Sequence, residues 1–108
     1  MQKGHRIERK LDIKEFINII KIYDKSSILI TKHSLFRLNE EDKKLYKEKS
    51  KDILLNEVPI LVGIQYNKSY AVFYKYNNDI IKVILDIQRN KVYIVTFYII
   101  DNNQLPKI

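Results

Sequence analysis

Hydrophobic spacing changes once along the chain, at Pro59. Before it, Ile13, Phe16, Ile17 and Ile20 recur at i, i+3, i+4 and i+7, the spacing of one helix face. This predicts a helix within the stretch from Ile7 to Tyr23. Asp12 and Glu15 near its start and Lys21 near its end suit the helix macrodipole. "YDKSS" (23–27) breaks the pattern, and "SILI" (27–30) reads as a short extended piece. Thr31 is placed to cap a helical turn running through Leu38. Asn39 followed by Asp42 resembles an N-cap with an acidic first turn, predicting a second helix from Glu40 to about Asn56. Its inward candidates are only Leu45, Tyr46, Ile53 and Leu54, so it should lie at the surface.

Past Pro59 the segments "ILVGIQY" (60–66), "SYAVFYKY" (69–76), "DIIKVILDIQ" (79–88) and "KVYIVTFYII" (91–100) are dense in β-branched and aromatic residues, the composition of strands. "NK" (67–68), "NN" (77–78) and "RN" (89–90) separate them, each with an Asn that tolerates positive φ. Such short links predict an antiparallel meander, because parallel strands need long crossovers. In the third segment Ile81, Val83, Leu85 and Ile87 alternate with Ile80, Lys82, Ile84 and Asp86. The first set should face the helices and the second should form the wetter face. Residues 1–6 and 101–108 read as loose ends. The whole pattern predicts one α+β domain over 1–108, its N-terminal helices packed on one face of a curved four-stranded antiparallel meander.

Composition narrows the chemistry. No cysteine is present among the 108 residues, which removes disulfides, thiolate nucleophiles and zinc sites built on sulfur. No apolar run approaches the roughly 18 residues a membrane helix needs. Charges interrupt anything like a signal-peptide core in "MQKGHRIERKLDIKEF", so a cytoplasmic location without membrane attachment is expected. The formal net charge is +7, from 20 Lys and Arg against 13 Asp and Glu. Such an excess favours a polyanionic partner through counterion release. The same lysines also suit a chain rich in Lys, Ile, Asn and Tyr, where some of them simply keep the surface wet.

Two histidines occur, and His33 lies four residues before Arg37 in "ITKHSLFRL" (30–38). On a helical turn the two project from one face. Arg presents a planar fork of donors to phosphate oxygens, and His exchanges protons near neutrality. His and Arg also meet at this spacing by chance, so the pair alone leaves packing and catalysis both open. Glu40 and Glu41 accompany a helix start, and His5 falls in the N-terminal end. Neither an HExxH motif nor a glycine-rich phosphate loop occurs, and no metal or cofactor is expected. Tyr66, Tyr70, Tyr74 and Tyr76 are candidates for an aromatic platform under bases, though tyrosine is equally an ordinary strand residue. Lys75 and Lys82 would add phosphate contacts.

"ITKHSLFRL", a helix ending in "KDILLNEV" and the closing strand "VYIVTFY" together resemble a family of small bacterial and archaeal domains of unknown function. That family carries an H-x-x-x-R motif preceded by Ser/Thr-Lys, here Thr31-Lys32, and an "ITVY"-like last strand, here "IVTFY" (94–98). It is similar to the metal-independent ribonuclease superfamily of barnase, EndoU, colicin-type RNases and RelE-like toxins. The likeness spans about residues 28–100 and leaves the first helix unmatched. A second Arg or Glu that many members carry aligns only loosely with "LNEEDKK". The resemblance implies a toxin-like ribonuclease with His33, Arg37, Thr96 and Tyr98 as its catalytic set. RNA would contact Lys32, Lys75, Lys82 and Tyr74, and a cognate inhibitor protein becomes a possible partner. A non-catalytic RNA- or protein-binding module of the same fold stays open beside it. So does an accessory protein whose sheet edge pairs with a partner.

Overall fold

A computed structural model describes residues 6–31 and 39–106, with positions 42, 48 and 98 described through their backbone. Its elements are β1 (Ile7–Lys10), α1 (Ile13–Ile20), β2 (Ile28–Ile30), α2 (Glu40–Asn56), β3 (Leu61–Gln65), β4 (Tyr70–Tyr76), β5 (Asp79–Ile87) and β6 (Val92–Ile100). The fold is α+β with a mostly antiparallel sheet. Its strand order is β1-β3-β4-β5-β6-β2, and only the β2–β6 pair is parallel.

The four segments after Pro59 become β3 to β6 and form a continuous antiparallel run. The sheet has six strands among the described residues rather than four, because a short strand joins each end of the meander. At one end Ile7–Lys10, included in the helical stretch expected from Ile7 to Tyr23, is instead a strand beside β3. The Leu11 amide donates to the Val62 carbonyl and the Tyr66 amide to the Arg6 carbonyl, so pairing with β3 decides the conformation of this stretch. The helical period begins only at Ile13, where the Asp12 side chain caps α1 by accepting from the Glu15 amide at 3.3 Å. At the other end "ILI" is extended as expected, and Ile28, Leu29 and Ile30 lie opposite Val92, Tyr93 and Ile94.

Two of the three hairpin links follow the expected two-residue form. Asn77 adopts a φ of 53° between Tyr76 and Asp79, and Arg89-Asn90 is closed by the Gln88 amide donating to the Lys91 carbonyl at 2.8 Å. In the first link the positive φ falls on Lys68, at 73°, instead of Asn67. Asn67 acts through its side chain, which accepts from the Ser69 amide at 3.0 Å, the local Asn-turn bond.

One buried cluster joins Phe16 and Ile20 of α1 with Tyr46, Ile53 and Leu54 of α2 and alternate sheet positions from Val62 to Phe97. Ile81, Val83 and Leu85 belong to it, and Ile87 packs against it. Tyr46 stacks on Phe97, with ring centroids 4.7 Å apart and planes 7° from parallel. Its hydroxyl donates to the Ile94 carbonyl at 3.3 Å.

The opposite face is drier than its alternation predicted. Ile80 is 1% and Ile84 8% exposed, and with Leu61, Ala71 and Phe73 they form a second small cluster. Only Asp86 of that set is fully exposed, and Lys82 is half-buried. Left in water, two isoleucines would forfeit about 1.5–3 kcal/mol each. Ile7 of β1 and Leu105 of the tail pack against this cluster. The tail is therefore not loose over its described part. Asn102–Gln104 is a short 3-10 turn, and the Asn102 amide group donates to the Asn78 carbonyl.

"YDKSS" breaks the helix by building a capped turn. The Asp24 carboxylate accepts from Ser26 Oγ at 2.6 Å, the Ser27 amide at 3.1 Å and Ser27 Oγ at 3.0 Å. The Ser26 and Ser27 hydroxyls hold its pKa below the ordinary 3.8. A carboxylate lowered in this way stabilises the fold above its unfolded-state pKa, and that contribution is lost as pH falls through the lower folded value. Carbon-detected NMR titration is expected to place the Asp24 midpoint below 3.8, and Ser26→Ala should move it back up. A midpoint at the ordinary value would show that the serines leave the carboxylate in solution.

Candidate functional site

Thr31 is the last described residue before the H-x-x-x-R motif, and it is tied to β6. Its amide and its Oγ1 both donate to the Ile94 carbonyl, at 3.3 and 3.1 Å. Thr31 therefore lies beside the middle of β6, at Ile94, two residues before Thr96. Lys32, His33 and Arg37 themselves lie outside the described residues, as does His5.

At this point β6 carries an irregularity. Ile84 lies opposite Thr96 but Leu85 lies opposite Ile94, so Val95 is an extra residue in the ladder. Bulges re-aim the residues beside them and are common next to functional sites. Thr96 stands across from Ile84 and Tyr98 across from Lys82, so the two fall two residues apart in the regular part of the ladder. Ile84 belongs to the second cluster while neighbouring Phe97 belongs to the main one. The half-buried Thr96 is thus on the side away from the main core.

Sheet register brings two predicted RNA contacts to that same side. Lys82 lies opposite Phe73 on β4, with its Nζ 5.9 Å from the ring centroid, within cation–π range. Lys75 is exposed and lies opposite Ile80. Thr96, Lys82 and Lys75 are successive diagonal neighbours across β6, β5 and β4, a step of about 7–8 Å each. The diagonal presents two cations and a hydroxyl in a line. No sequence signal marks it, because it exists only once the strands are in register.

Tyr74 does not join this surface. Period-2 alternation puts it on the side opposite Lys75, where it is 1% exposed within the main cluster. Tyr70 and Tyr76, at even positions of the same strand, also pack against that cluster, and Tyr70 lies 6.4 Å from Phe16 between ring centroids. Of the four platform tyrosines only Tyr66 is well exposed, so the aromatic platform is not assembled. The Tyr74 hydroxyl has no hydrogen-bond partner among the described residues. Burial first, and the Glu57 charge second, push its ionisation far above the ordinary range. Tyr74→Phe removes an unsatisfied buried group while keeping the ring. It should raise stability by about 1 kcal/mol, read as a higher urea midpoint, and a loss of stability would mean that the hydroxyl has a partner.

Glu40 and Glu41 are exposed at the start of α2, where Glu40 pairs with Lys43 at 3.6 Å. This is the placement of acids that accompany a helix start. Among the described residues no three His, Cys, Asp or Glu side chains are gathered as a metal ion would need. No helix among them is long and apolar enough to cross a membrane. Comparison with family models, with curated proteins and with solved structures found no match for this chain.

Proposed function

We propose that the protein is a small toxin-like ribonuclease that works without a metal. The observation carrying this reading is the diagonal of Thr96, Lys82 and Lys75, together with the bond from Thr31 to Ile94 of the same strand. The resemblance of "ITKHSLFRL" and "IVTFY" to a family of small domains, itself similar to the metal-independent ribonucleases, supports the same assignment. In this reading RNA meets the other side of the sheet along the exposed Lys75 and the half-buried Lys82 and Thr96. The 2′-hydroxyl attacks the adjacent phosphorus, the bond to the 5′-oxygen breaks, and a 2′,3′-cyclic phosphate remains. His33 takes the 2′-hydroxyl proton or supplies one to the leaving 5′-oxygen. Arg37 neutralises charge that peaks on the phosphorane-like transition state. Thr96 or Tyr98 positions the phosphate or protonates the leaving oxygen, and Lys32, Lys75 and Lys82 hold the flanking backbone. An acidic inhibitor protein would complement such a face, and a cysteine-free chain suits the cytoplasm.

One observation favours a binder instead. Thr96, Lys82 and Lys75 include neither a histidine nor a carboxylate, so the described part of the site supplies charge but no acid–base pair. The accessory-protein reading has less behind it. The edge strands β1 and β2 are four and three residues long, and β1 carries a bulge and the exposed Arg9 and Lys10. Short, charged and bulged edges oppose strand addition.

The test is incubation of purified protein with RNA oligonucleotides, with and without chelator, beside the same sequences lacking the 2′-hydroxyl. Cleavage of RNA alone, to cyclic-phosphate ends and indifferent to chelator, is the expected result. Tight binding without any cleavage would replace the enzyme by the binding module.

A further inference from the structure

The site at the middle of β6 leaves most of the basic excess unused, and part of it gathers elsewhere. The Tyr23 hydroxyl donates to the Gln88 carbonyl, locking the loop after α1 onto the β5–β6 hairpin. Ile28 lies opposite Val92, so the turn before β2 reaches the same end of the sheet. Lys21, Arg89 and Lys91 are all exposed there, and none forms an ion pair among the described residues. The carboxylates of these segments are engaged. Asp24 is held by Ser26 and Ser27, and Asp86 accepts from the Gln88 amide group at 3.1 Å. Lys25, also at this end, is paired with Asp52 at 3.2 Å. Ile22, next to Lys21 in the chain, is 72% exposed.

We propose that this hairpin end, built from Lys21, Arg89 and Lys91, is a second phosphate-binding surface that holds the backbone of single-stranded RNA. The proposal rests on the RNA reading above and extends it to a surface outside the catalytic set. Val92 to Thr96 is four residue steps along β6, roughly 13 Å at strand rise. A nucleic-acid strand that follows β6 from Thr96 reaches Lys91 and Arg89 at the end of the sheet and meets Lys21 there from the α1 side. Ile22 offers a small apolar contact to a base. A single exposed isoleucine is too little for a membrane surface, which needs a whole apolar face.

The experiment follows a fluorescein-labelled oligodeoxynucleotide by anisotropy over a range of salt. It lacks the 2′-hydroxyl, so binding is read without cleavage. The variant Lys21→Gln/Arg89→Gln/Lys91→Gln should lower the log–log salt slope by about 2, from roughly 0.7 per phosphate contact on single strands, and weaken binding at low salt. Lys44→Gln/Lys47→Gln/Lys49→Gln on α2 removes the same charge from exposed positions and should leave most of the slope in place. Equal losses in both variants would overturn the proposal, since only net charge would then matter. So would a wild type that ignores the oligonucleotide, or one that prefers anionic-lipid vesicles. Cleavage of the matching RNA is scored in parallel. Oligonucleotide binding that depends on the three cations, without RNA cleavage, removes the ribonuclease reading and keeps this surface. Cleavage with an unaltered triple variant does the reverse.

Discussion

Replacing His33 with Ala is expected to cut RNA cleavage by roughly 10²–10⁴-fold, the usual worth of one acid–base group, while RNA binding changes little. The asymmetry follows from the roles proposed. A proton-transfer group acts in the transition state, whereas ground-state affinity comes from the cations that meet phosphates. Arg37→Lys should also be poorly active, because a point charge cannot reproduce a bidentate fork on a phosphate. Binding and cleavage lost together in His33→Ala, with an unchanged circular dichroism spectrum, would make His33 a binding residue. In a pure binder the order inverts, so that Arg37→Ala weakens binding and His33→Ala has almost no effect.

Tyr46→Ala is expected to be among the most damaging truncations of the core. Tyr46 is fully buried, stacks on Phe97 and ties the N-terminal half of α2 to β6 through Ile94. Removing a buried aromatic ring costs about 3–5 kcal/mol, a large part of the 5–15 kcal/mol that holds a typical domain together. Tyr46→Phe keeps the stacking and loses the bond to Ile94, for about 1 kcal/mol. Urea unfolding of the two variants separates ring from hydroxyl. Equal losses would place the energy in the hydrogen bond, and a small loss in Tyr46→Ala would mean that α2 is docked elsewhere.

Local chemistry made much of the fold legible. β-Branched runs and Asn-bearing links marked β3 to β6, because both act over a few residues and depend little on what lies across the sheet. Asn39 and Asp42 marked the start of α2, and its few apolar residues correctly named Tyr46, Ile53 and Leu54 as buried. Ile7–Lys10 departs from its expected form for the complementary reason. Four residues of "IERK" carry no decisive period, and β3 supplied the hydrogen bonds that made them a strand. The second face failed similarly. Alternation said correctly which residues share a side, but not that Ile7 and Leu105 would pack against Ile80 and Ile84.

The candidate site shows the same division. Residue type and spacing along the chain placed His33 four residues before Arg37, alternated the side chains of each strand, and showed a basic chain without cysteine, from which phosphate binding was an expectation. Those conclusions need only covalent connectivity, the two-residue period of a strand and the chemistry of the side chains. Which positions meet was decided by the tertiary structure alone. The extra residue Val95 and the register of β4, β5 and β6 align Thr96 with Lys82 and Lys75. The Tyr23–Gln88 bond, spanning 65 residues, ties the loop after Lys21 to the hairpin that carries Arg89 and Lys91. Register and long-range bonds are settled by the packing of two buried clusters at once, and a one-residue slip would turn every side chain of a strand to the other face.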